Sequence, residues 1–249
     1  MATVDEVSDL LAGTMRNMAP RGRGVCSQCW AFHDPDYATC ISCNRRPDLL
    51  DAFLPITYAP HGGQLYRALR DYKNMDEPRS VRRHHAIGLA AILWRFLAVH
   101  EPHLAAAAGV PEFDLVTTPP SKTLERDEKR SGFRKIVGEW VGATKGRYAR
   151  VLDPNDPPIL SRSYEPSRYI ANTPLDGKRV LVIDDTWVSG GAVQSAAQAL
   201  RNAGASHVAA VAVGRYLRLD FGNGTDWDTK SRYNALPKRF DWETCALDP

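Results

Sequence analysis

The stretch Val180 to Leu200, VLVIDDTWVSGGAVQSAAQAL, passes from four apolar residues through two acids and a turn bearing hydroxyls and glycines into an amphipathic segment. The apolar run reads as a buried strand and Gly191 to Asn202 as a helix, so the whole is a strand, a turn and a helix. A buried strand presents its C-terminal residues at the sheet edge, where open α/β folds hold their ligands. Thr186, Ser189, Gly190 and Gly191 let the backbone turn tightly, so that N–H groups at the start of the helix point toward one anion, such as a phosphate. Asp184 and Asp185 would repel that anion, so they should face sugar hydroxyls or a metal ion.

On either side of this stretch, short apolar runs alternate with amphipathic segments. Strands are predicted over 54–58, 113–117, 148–152, 179–183 and 208–213, and helices over 63–72, 84–99, 131–143 and 191–202. Such alternation predicts an α/β fold, a mostly parallel sheet with helices on both faces. A further amphipathic helix is predicted over 2–18, with Val4, Val7, Leu10, Leu11 and Met15 at helical spacing. Residues 153–174 hold five prolines and little apolar periodicity, which predicts a long exposed loop. The last thirty residues mix Phe221, Trp227, Phe240 and Trp242 with Gly and Asp and show no period.

Residues 20–48 are rich in Gly, Arg, Cys and Pro, and bury too few aliphatic side chains to fold unaided. They contain Cys26, Cys29, Cys40 and Cys43 in the spacing C-x2-C-x10-C-x2-C. Two such knuckles can converge on a tetrahedral ion, and four soft sulfurs suit a structural zinc with no open position for substrate. His33 lies between the knuckles and reads as non-ligating, because four cysteines already fill the shell. Cys245 is left over and reads as an unliganded thiol. Residues 1–50 are therefore expected to form an N-terminal helix with a small zinc ribbon, and residues 51–249 the α/β domain with an aromatic C-terminal tail. Arg21, Arg23, Arg45 and Arg46 flank the ribbon. They read as solvating a small domain, with contact to nucleic acid as the alternative.

With 43% apolar and 24% charged residues among 249, the chain is not disordered throughout. Thirty-two basic against 29 acidic side chains leave a net charge of +3, too little to argue for a nucleic-acid or membrane partner. The apolar run Ala86 to Val99, broken by Gly88 and Arg95, falls short of the roughly 20 residues that span a bilayer. No basic start followed by an apolar core is visible, so a reducing, cytoplasmic compartment is expected.

The acidic pair and its loop resemble the phosphoribosyl diphosphate loop of type I phosphoribosyltransferases. The four-cysteine pair, Tyr72-Lys73, Thr117-Thr118-Pro119-Pro120-Ser121, Arg130-Ser131-Gly132-Phe133 and Asp176-Gly177-Lys178 follow in the order found in ComF-like proteins, over about residues 24–215. The resemblance implies a type I phosphoribosyltransferase-like sheet that binds phosphoribosyl diphosphate with magnesium. It places Asp184 and Asp185 on the ribose hydroxyls, and Thr186, Trp187, Val188, Ser189, Gly190, Gly191 and Ala192 around the 5-phosphate. Thr118 to Lys122, including Ser121, match the pyrophosphate loop. Lys122 and Arg130 would then neutralise the leaving diphosphate, and Lys73 matches a basic position. Val188 and Ala192 stand where the family usually has hydroxyls, and Ser131 interrupts an Arg-Gly-Phe segment. Two lost hydrogen bonds at about 1 kcal/mol each weaken a phosphate site without abolishing it.

Two readings follow from the resemblance. One is a phosphoribosyltransferase acting on a nitrogenous acceptor, which a hood from the ribbon or the tail would select and on which Trp187 could stack. The other is a phosphoribosyl diphosphate or nucleotide-binding module without turnover, whose zinc ribbon contacts DNA or a protein, in keeping with a ComF-like role in DNA uptake.

Overall fold

The computed structural model describes residues 2–129, 131–159, 163–225 and 227–247. Its strands are β1 (Ala52–Pro60), β2 (Leu115–Thr117), β3 (Leu152–Pro154), β4 (Tyr169–Ala171), β5 (Arg179–Trp187) and β6 (His207–Leu217). Its α-helices are α1 (Val4–Ala12), α2 (Ile41–Asn44), α3 (Gln64–Asp71), α4 (Arg79–Ala107), α5 (Leu124–Lys129), α6 (Gly132–Lys135), α7 (Gly191–Asn202) and α8 (Thr229–Ala235). β1, β6, β5 and β2 form one sheet in that order, every pair parallel. The C-terminal ends of all four strands therefore open on one edge. This is the predicted α/β fold.

Strand alternation divides the interior in two, because successive side chains point to opposite faces. Leu181 and Ile183 join a core with Leu89, Leu93, Phe96 and Leu97 of α4 and with Phe133 and Ile136. Val180 and Val182 join the other core, with Val193, Ala197 and Leu200 of α7 and with Cys26, Cys29 and Trp30. The cysteine segment thus packs into the same core as α7. Among the described residues, no helix is long and apolar enough to cross a membrane.

Several expectations need correction. The helix predicted over 84–99 runs from Arg79 to Ala107, through Gly88. A glycine there costs about 1 kcal/mol against alanine. The missing side chain admits Leu11 of α1, whose Cδ1 lies 3.0 Å from where a Cβ would stand. The helix predicted over 2–18 ends at Ala12. Beyond Gly13 the backbone is captured by Thr57, whose hydroxyl accepts from the Arg16 N–H at 3.0 Å and donates to the Arg16 carbonyl at 2.7 Å.

The helix predicted over 131–143 is a short α6 followed by a π-turn, Ile136–Trp140, widened where Tyr148 packs against Gly138. The strand predicted over 148–152 touches β2 only through a bridge from Tyr148 to Val116. The chain then leaves as β3, antiparallel to β4, in a separate two-stranded sheet. The stretch 153–174 is accordingly not all loop, since it contains β4 with the buried Tyr169. The aperiodic C-terminal region supplies α8, and its Phe240, Trp242 and Cys245 join the α4 core.

Candidate functional site

β5 does not stop before the acids. β6 runs on to Leu217 and pairs Thr186 with Gly214 and Trp187 with Arg215, so Asp184 and Asp185 lie within the C-terminal half of β5. They lie two and three residues beyond Val182, the residue level with the last residue of β2, Thr117. The chain leaving β1 forms α3, whose end delivers Tyr72 and Lys73 to Asp185. The Tyr72 hydroxyl and the Lys73 ammonium each donate to Asp185 Oδ2 at 2.5 Å. The Asp185 N–H donates to Asp184 Oδ1 at 2.9 Å.

These contacts split the two acids electrostatically. Burial, and then the neighbouring Asp185 charge, push Asp184 up to about 7. Burial works against ionisation of Asp185 too, but Lys73 and Tyr72 outweigh it and hold that carboxyl below its ordinary value. One acid is poised near neutrality while its neighbour stays ionised.

Past Trp187 the chain turns through Gly190, whose φ of +79° is the left-handed conformation that favours glycine. A Cβ at Gly190 would overlap the Trp187 indole and stand 2.9 Å from Arg46 Nη2. Gly190 is the N-cap of α7, and the Gln194 N–H donates to its carbonyl at 2.9 Å. The amides ahead of Gln194 thus precede the first intrahelical bond, the arrangement that attracts an anion. The Trp187 ring is buried beneath this turn, stacked on Phe53 with centroids 3.9 Å apart. Val188 is 53% exposed.

Two arginines tie this loop to the cysteine segment. Arg46 Nε donates to the Ser189 carbonyl at 3.1 Å and its Nη2 to Cys43 Sγ at 3.1 Å. Arg215, buried at the end of β6, donates to the Cys29 carbonyl at 2.8 Å and to Cys29 Sγ at 3.3 Å. It also donates to the carbonyls of Trp187 and Val188 at 3.2 Å each. Nothing in the sequence reading singled out Arg215. The signal was a lone arginine inside the apolar run VAAVAVGRYL, where a charge is rarely buried without partners.

The pyrophosphate-loop candidates leave the sheet at the same edge, because Thr117 is in register with Val182, two residues before Asp184. Thr118 is buried, its hydroxyl 3.1 Å from that of Tyr148. The Ser121 N–H donates to Asp127 Oδ1 at 2.7 Å, and Arg134 donates to Asp127 Oδ2 at 2.6 Å. Asp127 is thus the anchor of this turn, another residue the sequence did not reveal. Lys122 lies on the turn. Arg130 lies outside the described residues.

Cys26, Cys29, Cys40 and Cys43 gather with their sulfurs all within 4.8 Å of one another. Cys29 and Cys40 Sγ lie 3.6 Å apart, close to the roughly 3.8 Å separation of two thiolates bound tetrahedrally at about 2.3 Å. The Cys40 N–H, Arg46 and Arg215 all donate toward sulfur, the surroundings that favour thiolates on a cation. The four cysteines are therefore arranged compatibly with a zinc ion. His33 is not part of the group.

A cavity of about 580 Å³ lies between the cysteine segment, Val188 and the chain following β6, with Phe32, Tyr37, Phe221 and Trp227 in its walls. His33 and Thr229 also line it. Both are buried, and neither His33 ring nitrogen nor the Thr229 hydroxyl has a hydrogen-bond partner among the described residues.

No protein-family model and no curated protein matches the sequence. Among solved structures, the chain is similar to an allosteric regulatory enzyme of purine biosynthesis, at 22% identity with a TM-score of 0.27. The match covers 49% of this chain and 26% of that one. At that score the likeness supports no functional conclusion.

Proposed function

We propose that this chain binds phosphoribosyl diphosphate at the turn between β5 and α7 and transfers the phosphoribosyl group to a nitrogenous acceptor. The observation that carries the reading is the convergence, at one edge of a parallel sheet, of two acids with a left-handed glycine that opens the N-terminus of α7. The amides of Ser189 to Ala192 hold the 5-phosphate, and Asp184 and Asp185 hold the ribose hydroxyls. Lys122, on the turn after β2, neutralises the departing diphosphate, with Arg130 as its partner. Asp184 and Asp185 offer the hard oxygen donors that magnesium takes, and magnesium, when bound, supplies further neutralisation of the diphosphate. The protein itself holds distances and stabilises charge, and no side-chain nucleophile is required.

We place the acceptor in the aromatic cavity beside Val188. Its aromatic residues Phe32, Tyr37, Phe221 and Trp227 suit a heteroaromatic ring, and His33 and Thr229 offer polar groups to ring nitrogens or exocyclic substituents. Zinc in the cysteine segment is structural in this reading.

One observation favours the second reading, binding without turnover. Val188 and Ala192 lack the hydroxyls that the resembled loop usually has at those positions, which weakens the hold on the phosphate that turnover requires. Calorimetry with phosphoribosyl diphosphate and magnesium tests the site. Binding by the wild-type chain, lost in Asp184→Asn with Asp185→Asn, is the expected result, and unchanged affinity in that double variant refutes it. Diphosphate release across a panel of bases and amines then separates transfer from binding alone.

A further inference from the structure

A second group of metal-ligating side chains lies far along the chain from the four cysteines. His100 and His103 stand one turn apart on α4, and Cys245 reaches them from the C-terminal tail, their ligand atoms all within 4.8 Å of one another. His100 and Cys245 are buried, and His103 is half-buried. The two imidazole centroids are 5.5 Å apart. A His-x2-His pair on a helix puts both rings on the same face, as i and i+3 residues are neighbours there.

The orientation of His100 is fixed by a contact typical of metal ligands. Its Nε2 lies 2.7 Å from the Trp242 carbonyl oxygen. A carbonyl only accepts, so Nε2 carries the proton and Nδ1 is the nitrogen left with a lone pair. A ligating histidine ordinarily donates its other N–H to a backbone carbonyl or carboxylate, which sets tautomer and ring plane. The same contact ties the tail to the helix, since Phe240, Trp242 and Cys245 all belong to the α4 core.

We propose that His100, His103 and Cys245 bind a second zinc ion, which latches the C-terminal tail onto α4. Two imidazoles and a thiolate are a borderline-soft donor set that suits zinc. Bound at about 2.0–2.3 Å, two imidazole nitrogens and one sulfur stand roughly 3.3–3.6 Å from one another, so the group, now within 4.8 Å, needs to contract by up to about 1.5 Å. No fourth histidine, cysteine or carboxylate among the described residues joins the group. Water or a backbone oxygen completes the shell. On binding, the Cys245 thiol loses its proton to solvent and the sulfur forms the metal bond, with no change of oxidation state. Cys245, a leftover thiol in the sequence, thereby gains a role.

The test is metal stoichiometry of the full chain, supplied with zinc and then gel-filtered, measured by inductively coupled plasma mass spectrometry. The wild type should carry two zinc ions, Cys245→Ala and His103→Ala one each, and Cys43→Ser should keep the one at the tail. Cys245→His, which preserves a ligand, should retain two and guards against misreading a folding defect. Cobalt substitution gives an independent readout, because Cys245→Ala should remove a thiolate-to-cobalt absorption component of one sulfur. A zinc content, or a cobalt thiolate absorption, that is the same in the wild type as in Cys245→Ala and His103→Ala overturns the proposal.

Discussion

Asp184 concentrates the electrostatic tension of the site. Its carboxyl is raised to about 7 by burial and by Asp185, whereas an unfolded aspartate titrates near 4. Between those values the folded chain binds more protons than the unfolded one, so this residue's contribution to stability falls as pH rises, and the loss is complete above about 7. Asp184→Asn removes the titration while keeping the shape. Thermal unfolding from pH 5 to 8 should therefore show the variant gaining on the wild type as pH increases, by a few degrees at pH 8. Two parallel curves would show that Asp184 is ionised throughout. Asp185 has the opposite sign, because Lys73 holds it ionised and its contribution is lost only on acidification.

At the scale of elements, the cysteine segment and the sheet are bound together. Cys26, Cys29 and Cys43 are buried among Val193, Ala196 and Leu200 of α7, so a metal that organises the segment also completes the wall of a sheet core. Structural zinc contributes on the order of 10 kcal/mol of apparent folding free energy in small domains. Cys43→Ser should thus lower the melting temperature of the whole chain in one transition. Two separated calorimetric transitions would show the segment folding on its own. The pattern of strand, turn and helix around Asp184 was legible because its signals are local: an apolar run, adjacent acids and glycines. The cysteine knuckles were legible for the same reason. Where tertiary contacts override local pattern, the sequence misled. Thr57 ends α1 early, Tyr148 widens the turn after α6, and β3 and β4 pair across a stretch that five prolines make resemble a loop. The capture of Asp185 by Lys73 spans 112 positions, and no spacing rule encodes it.

Across the whole molecule, Arg215 joins what the chain order separates. One guanidinium spans the Cys29 carbonyl and sulfur on one side and the Trp187 and Val188 carbonyls on the other, and also donates to the Tyr216 carbonyl at 2.7 Å. The planar fork makes this possible, with five N–H donors held in fixed directions. A lysine carries one ammonium on a flexible stem and cannot reach both sides at once, so Arg215→Lys keeps the charge and loses the bridge. Leaving several buried acceptors unsatisfied costs about 1–3 kcal/mol for each. The variant should accordingly unfold at lower denaturant, release zinc to a chelator faster, and exchange the amides of 186–192 more rapidly, all three changes together. If zinc release quickens while those amides keep wild-type protection, the loop is held from the sheet alone and Arg215 serves the cysteines only. If all three move, a change at the metal is felt at the end of β5, because one buried side chain holds both.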